Sequence, residues 1–144
     1  MQFNHQLSIV KGQDKTQNEA LINMPPVNTT NEIVYYNNKF NNLRLALQSE
    51  YVFRQNEFPN TNFEVYIPNT ESYVEVDGST PPPAYHLINF NSSIDFDFSE
   101  RSILTLGFQV TNLLNVSYRN YLNRMRLFAD DLGRNFLLNI KLKY

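Results

Sequence analysis

The sequence contains no cysteine and very little glycine, and each shortage removes a class of function. None of its 144 residues is Cys, and 4 are Gly. Without Cys, the chain can form neither a disulfide framework nor a thiolate metal site. So few glycines exclude the glycine-rich loops that cradle phosphates. No nucleophile stands beside a base in a catalytic pattern, so we expect neither an enzyme nor a cofactor.

The chain also lacks an excess of positive charge. Lys and Arg number 12 against 14 Asp and Glu, for a net charge of −2. Phosphate binding needs clustered positive charge, so nucleic acid is not an expected partner. Nor does any stretch approach the run of about 18 apolar residues that marks a membrane-spanning helix. That shortage leaves a membrane β-barrel open, because barrel strands carry apolar residues only at alternate positions.

What the sequence does contain is alternation of apolar and polar residues, the period of β-strands. It extends over residues 43–54, 87–98, 103–111 and 135–144. The rows on the apolar side are Leu43, Leu45, Leu47, Ser49, Tyr51 and Phe53; Ile88, Phe90, Ser92, Ile94, Phe96 and Phe98; Leu104, Leu106, Phe108 and Val110; and Phe136, Leu138, Ile140, Leu142 and Tyr144. No charged residue stands in these rows, whereas the opposite rows contain Arg, Glu, Asp and Lys.

Two weaker segments bring the predicted strands to six. Residues 3–11 place Phe3, His5, Leu7 and Ile9 on one side, and residues 32–40 form a strand whose facing stays open. The strands are about 9–13 residues long, against a usual length of about 5–6 in globular sheets. A tilted strand needs roughly 9–11 residues to cross a bilayer. Alternation alone is equally compatible with a soluble antiparallel sheet that has one face on a core.

The connections favour the membrane interpretation. Three connections between the predicted strands are long, at 12–31, 55–84 and 114–133, and they alternate with two short ones, at 41–42 and 99–102. Outer-membrane barrels have this rhythm, with brief periplasmic turns and extended outer loops. If the short turns lie in the periplasm, we expect aromatic residues at both membrane interfaces. Phe40, Phe98 and Tyr144 would lie near the periplasmic interface, and Tyr51, Phe53 and Phe136 nearer the outer one.

Six strands are too few for a closed barrel. About eight strands already give an interior that side chains just fill, and here bulky Arg44, Glu50 and Arg54 would point inward. An open sheet in lipid would leave edge N–H and C=O groups unpaired. We therefore expect an all-β fragment, an antiparallel transmembrane β-barrel segment of about six strands, whose remaining strands and secretion signal are missing.

Several motifs resemble the C-terminal end of TonB-dependent outer-membrane receptors, most of all Bacteroidetes-like ones. Asn112, Leu113, Leu114, Asn115, Tyr118 and Arg119 are similar to that family's Asn-Leu-Phe-Asp corner followed by Tyr-Arg. The residues Gly133, Arg134, Asn135 and Phe136 resemble the start of its last strand, which ends on an aromatic residue, usually Phe and here Tyr144. Upstream, Leu21 to Pro26 resembles a Leu-Pro-x-x-Pro-Pro loop. Thr80 to Asn89 resembles the Thr-Pro-Gly-Tyr-x-Leu-x-Asn segment, with Pro82, Pro83 and Ala84 where the family has Gly.

The resemblance covers essentially residues 1–144 and implies energised import across the bacterial outer membrane. Such receptors have a 22-stranded barrel closed by an N-terminal plug. The implied partners are outer-membrane lipid, a scarce ligand such as a metal chelate, TonB acting through the plug, and the outer-membrane assembly machinery. The plug and the earlier strands are absent from residues 1–144. By resemblance, the assembly machinery would recognise the last strand and its terminal Tyr144, which is alternatively a simple interface aromatic.

The candidate ligand-binding residues lie in the last long connection: Tyr118, Arg119, Tyr121, Arg124 and Arg126. Arg and Tyr there would hold an anionic or aromatic ligand such as a ferric chelate by fork geometry and stacking. The alternative, which we favour, is interface anchoring and charge pairing with Asp130 and Asp131. His5 and His86 stand at unrelated positions and form no metal-ligand set.

Three functions therefore stay open. The first is a receptor for TonB-dependent uptake of an iron–siderophore or other metal complex, with haem or cobalamin as further cargoes. The second is a structural or adhesion barrel of the outer membrane that transports nothing. The third is a soluble ligand-binding β protein.

Overall fold

The chain folds into antiparallel β-sheets, as a computed structural model of residues 1–144 shows. Its ten strands are β1 (Gln2–Ser8), β2 (Gln13–Asp14), β3 (Glu19–Ala20), β4 (Asn28–Asn37), β5 (Leu43–Val52), β6 (Phe63–Ile67), β7 (Ser72–Val76), β8 (Tyr85–Ser99), β9 (Ser102–Thr111) and β10 (Asn135–Lys143). One short 3-10 helix spans Arg124–Leu127. The prediction of an all-β, antiparallel fold is confirmed.

Six of the strands form one sheet in the order β1-β4-β5-β8-β9-β10. Each pairs antiparallel with its neighbour, so the sheet is an up-and-down meander. The three long connections, 9–27, 53–84 and 112–134, leave one end of this sheet, and the two short turns leave the other. We call these the long-connection end and the turn end.

The register separates the sheet into two chemically different sides. One row crosses all six strands and contains only apolar side chains: Phe3, Ile33, Leu47, Phe90, Val110 and Phe136. We call the side that carries this row the apolar face and the opposite side the polar face. Ile33 and Tyr35 lie on the apolar face and Val34 and Tyr36 on the polar face, which settles the facing that sequence had left open.

Asparagine shapes the turn between β4 and β5. Asn41 and Asn42 adopt φ of 50°, in the left-handed region that Asn tolerates better than most residues. The backbone N–H groups of Phe40 and Leu43 donate to Asn37 O (3.3 Å) and Phe40 O (2.9 Å). These bonds end β4 at Asn37, so the predicted extension to Phe40 is wrong.

Several boundaries differ from the predictions by one or two residues; β5 ends at Val52 rather than Arg54, and β8 spans Tyr85–Ser99 rather than 87–98. Two further boundaries differ by more. The first strand ends at Ser8 rather than Lys11, because the chain turns into the β2–β3 hairpin, where Leu21 N donates to Gly12 O at 3.1 Å. β4 begins at Asn28, four residues early, because Thr29, Thr30 and Asn31 pair with both β1 and β5. A polar Asn-Thr-Thr-Asn stretch gave no apolar alternation to reveal this.

The long connection expected at 55–84 spans 53–84 in the structure and contains a hairpin that was not predicted. β6 and β7 pair antiparallel, and their Tyr66 and Tyr73 rings approach to 5.2 Å between centroids. The turn is held by Thr70 N donating to Ile67 O at 3.2 Å. The alternation of Phe63, Val65 and Ile67 was the signal for this strand, but it is only five residues long.

The sheet is a single layer. Only 11 of 144 residues are buried, and the solvent-accessible surface is 10615 Å². A folded monomer of 16.9 kDa normally exposes roughly 7,700 Å². Neither face of the six-stranded sheet is covered by a second sheet or by helices, although folded domains are normally built from packed layers. No helix is long and apolar enough to cross a membrane.

Candidate functional site

The candidate residues of the last connection are organised around a corner at Asn112, where β9 ends. Asn112 is 2% exposed and has a φ of 51°. Its side chain accepts from Val116 N and donates to Val116 O, both at 2.8 Å. Its own N–H donates to Asn89 Oδ1 at 2.9 Å. Because the side chain satisfies both polar groups of Val116, the corner has a defined shape.

A second asparagine joins the corner to the start of β10. Asn115, with φ of 56°, accepts from Arg134 N through Oδ1 at 2.9 Å. The same oxygen lies 2.9 Å from where a Cβ on Gly133 would stand, so a larger residue would displace the amide. Asn135 and Phe136 then open β10, and Phe136 stacks on Phe108 at 6.3 Å. The motif residues Asn112 to Arg119 and Gly133 to Phe136 therefore lie together in one structural unit. The other resembling segments lie apart: Leu21 to Pro26 precedes β4, Thr80 to Asn89 leads into β8, and Tyr144 follows β10 and is fully exposed.

Tyr118 connects this last connection to the sheet. Its ring lies 4.5 Å from the ring of Tyr85, the first residue of β8. Tyr118 O accepts from Asp131 N at 2.9 Å, which closes the base of the loop. Burial raises the pKa of the Tyr118 phenol, and the nearby charges of Asp131 and Glu50 act in the same direction. Tyr118 is thus a neutral, half-buried packing residue at the long-connection end.

Arg119 is held inside the loop. Its Nε donates to Asp130 Oδ1 at 2.6 Å, and another guanidinium nitrogen donates to Arg126 O at 2.9 Å. Hydrogen bonding from the Ser117 hydroxyl, followed by that from Arg119, lowers the pKa of Asp130. Of the two charge partners expected for the arginines, Asp130 pairs with Arg119. Asp131 instead accepts from Asn120 N and the Asn123 amide.

Arg126 bridges two connections. Its guanidinium lies over the Tyr121 ring at 4.4 Å from the centroid, a favourable cation–π distance, and also donates to Tyr121 O. Another of its nitrogens donates to Gly78 O, in the connection 53–84, at 2.9 Å. Tyr121 is 5% exposed, so Arg126 and Tyr121 form a packed contact within the last connection rather than an open binding surface.

Arg119 and Arg126 also line a shallow cleft of about 420 Å³ between the two connections. Its other walls are Asp77, Thr80, Pro81, Pro82, Pro83 and Leu127. Sequence reasoning assigned no role to Asp77 or Leu127, and it treated the proline run only as a motif. Arg124, by contrast, is exposed and stands apart from this cleft.

The polar face carries a second set of charged groups. Arg44 donates to Asn91 Oδ1 at 3.0 Å and to Glu32 Oε1 at 3.3 Å. Gln48 accepts from Asn89 at 3.0 Å on the same face. Glu32 was missed as a member of this cluster, because the facing of its strand could not be read from the sequence. The cluster makes this part of the polar face hydrophilic.

His5 and His86 both lie on the apolar face. His5 Nδ1 lies 2.7 Å from Asn31 Oδ1, and His86 Nε2 lies 2.8 Å from Ser49 Oγ. The structure holds no group of three or more His, Cys, Asp or Glu side chains with the geometry of a metal site.

Comparison of the chain with protein-family models, with curated proteins and with solved structures found no match.

Proposed function

We propose that the apolar face contacts membrane lipid and that this chain forms part of an outer-membrane β-barrel. The observation that carries the proposal is the apolar row from Phe3 to Phe136, which crosses six strands with no second sheet or helix packed on it. On this face Leu138 is 66% exposed and Ile140 is 67% exposed. Contiguous apolar surface on this scale marks a protein or membrane interaction site.

The dimensions of the apolar face support lipid as the partner. On β8, the longest strand, apolar-face residues extend from Ile88 to Phe98. At about 3.4 Å per residue this is roughly 34 Å along the strand. With a strand tilt of about 40°, it corresponds to about 26 Å across the membrane, close to the apolar band of about 25 Å in outer-membrane barrels.

The one polar side chain in the middle of this band is internally satisfied. Ser92 lies between Leu45 and Phe108 in the cross-strand register, and its hydroxyl donates to Phe108 O at 3.3 Å. A hydroxyl bonded to backbone in this way does not need water. On the other side of the sheet, paired Glu32 and Arg44 suit a wet barrel lumen.

The sheet edges support a barrel larger than six strands. β1 and β10 are the two outermost strands, and each pairs on one side only. In a bilayer their free backbone groups would be unsatisfied, so further strands must pair with them. We therefore propose that residues 1–144 are one segment of a wider barrel.

Within that class, we propose a TonB-dependent receptor that takes up an iron–siderophore or similar metal complex. The support is the hydrogen-bonded corner at Asn112 and Asn115, which lies at the positions where the chain resembles that family. Because Arg119 and Arg126 are engaged within the loops, the free contacts that remain for an anionic cargo are Arg124 and the rim of the cleft. TonB and the plug of the parent protein would drive release of the cargo.

Uptake of labelled iron tests this function. The complete reading frame would be expressed in a Gram-negative host deprived of its own ferric-chelate receptors, and cells would be supplied with radioactive iron in several chelates. We expect at least one chelate to accumulate, and we expect accumulation to vanish in the same host without TonB. Equal accumulation with and without TonB, or no accumulation from any iron chelate, from labelled haem or from cobalt-labelled cobalamin, would refute the receptor and leave a structural or adhesion barrel.

A further inference from the structure

Polar side chains lie side by side on the apolar face near the long-connection end. His5 pairs with Asn31, and Asn31 with Ser49, directly across three neighbouring strands. His86 lies one step further along and bonds to Ser49. We call His5, Asn31, Ser49 and His86 the polar patch. It begins one row beyond the fully apolar row that contains Phe3, Ile33 and Leu47, so the chemistry of the face changes within about 7 Å.

The polar patch is only partly satisfied by its own members. The hydrogen bonds within it use one ring nitrogen of each imidazole, the Asn31 carbonyl oxygen and the Ser49 hydroxyl. The second ring nitrogens and the Asn31 amide nitrogen have no partner in the chain. Unlike Ser92, which bonds to backbone, these groups would be left without hydrogen bonds in hydrocarbon, which is costly. They fit a polar environment instead.

The aromatic neighbours of the polar patch suit a membrane interface. The Tyr51 ring lies 5.9 Å from the His86 ring and meets Phe53 edge-on at 4.7 Å. Both Tyr51 and Phe53 are exposed. Tyrosine, with an apolar ring and a polar hydroxyl, collects where hydrocarbon meets water.

We propose that the polar patch contacts the polar headgroups of the outer-leaflet lipids and marks the outer limit of the hydrocarbon layer. This inference rests on the proposed membrane function and adds the level at which the barrel leaves the bilayer. Residues on the long-connection side of the polar patch, such as Tyr51 and Phe53, then stand in the headgroup region, and the strands continue beyond the lipid chains.

Tryptophan scanning of β5 tests the level directly, because residues 1–144 contain no Trp and any Trp elsewhere in the complete protein would be replaced by Phe. Four variants place one Trp each on the apolar face at successive steps: Leu45→Trp, Leu47→Trp, Ser49→Trp and Tyr51→Trp. Gln48→Trp, on the polar face, is the matched control. The complete protein would be reconstituted in phosphatidylcholine vesicles brominated on the acyl chains, or in vesicles with a nitroxide on the headgroup.

We expect acyl-chain bromine to remove most of the fluorescence of Leu45→Trp and Leu47→Trp. Ser49→Trp and Tyr51→Trp should instead be quenched by the headgroup nitroxide and little by bromine. If bromine quenches Ser49→Trp and Tyr51→Trp as strongly as Leu47→Trp, hydrocarbon covers the polar patch and the inference fails, while the membrane function stands. If bromine quenches no apolar-face variant more than Gln48→Trp, the membrane function itself fails.

Discussion

The Leu138→Lys variant is expected to fold poorly in membranes, while Asn139→Lys folds almost normally. Leu138 lies on the apolar face of β10, where it pairs with Phe108 and is 66% exposed. In the proposed barrel this exposed surface meets the middle of the hydrocarbon layer. A Lys facing lipid at the bilayer midplane costs about 2–4 kcal/mol, which lowers the ratio of folded to unfolded protein by about 30-fold to 1,000-fold.

Asn139→Lys is the matched control because it places the same charge one residue away on the same strand. Asn139 lies on the polar face opposite Gly107, where a flexible Lys can reach water. Urea unfolding of the complete protein in lipid vesicles, followed by the gel mobility of its folded form, would measure both variants. Equal destabilisation by the two substitutions would mean that the apolar face does not meet lipid.

The Asn112→Ala variant should destabilise the corner that joins β9 to the last connection. It removes both hydrogen bonds to Val116 and places Ala at φ of 51°. Unpaired buried polar groups cost about 1–3 kcal/mol, and the left-handed backbone adds about 1 kcal/mol. We expect a total loss of about 2–4 kcal/mol and faster proteolysis within residues 112–134.

Two further substitutions at this position separate the causes. Asn112→Gly also lacks the hydrogen bonds to Val116 but avoids the backbone strain of Ala. It should therefore be about 1 kcal/mol more stable than Asn112→Ala. Asn112→Asp keeps the acceptor for Val116 N and loses the donor to Val116 O, so its stability should fall between those of Asn and Ala. Ala, Gly and Asp variants as stable as the original protein would show that the corner does not depend on the Asn112 side chain.

The strands of the large sheet could be predicted because apolar and polar residues alternate along them, which shows which side chains share a face. Residues 43–54 and 87–98 alternate over most of their length, and the structure pairs β5 and β8 as neighbours. β4 was harder to delimit because its first four residues are Asn, Thr, Thr and Asn. Their strand conformation comes from pairing with β1 and β5, which is tertiary information.

The candidate site was only partly foreseeable. Alternation and motifs indicated the last connection, and the structure gathers Tyr118, Arg119, Tyr121 and Arg126 there. That Arg126 meets the carbonyl oxygen of Gly78, across 48 residues of sequence, depends on how two loops fold against each other. No local sequence pattern predicts this contact between the two connections. The polar patch could not be predicted for a related reason, because its residues become neighbours only through the register of β1 and β4 against β5.

Cysteine scanning of β10 in intact outer membranes tests the membrane contact of the apolar face most directly. Residues 1–144 contain no Cys, and any Cys elsewhere in the complete protein would be replaced by Ser. Single Cys residues would replace each position from Phe136 to Leu142 in the complete protein, and a water-soluble maleimide would report access. We expect labelling at Leu137, Asn139 and Lys141, on the polar face, and protection at Phe136, Leu138, Ile140 and Leu142. Labelling of all seven positions alike would contradict a lipid-covered apolar face.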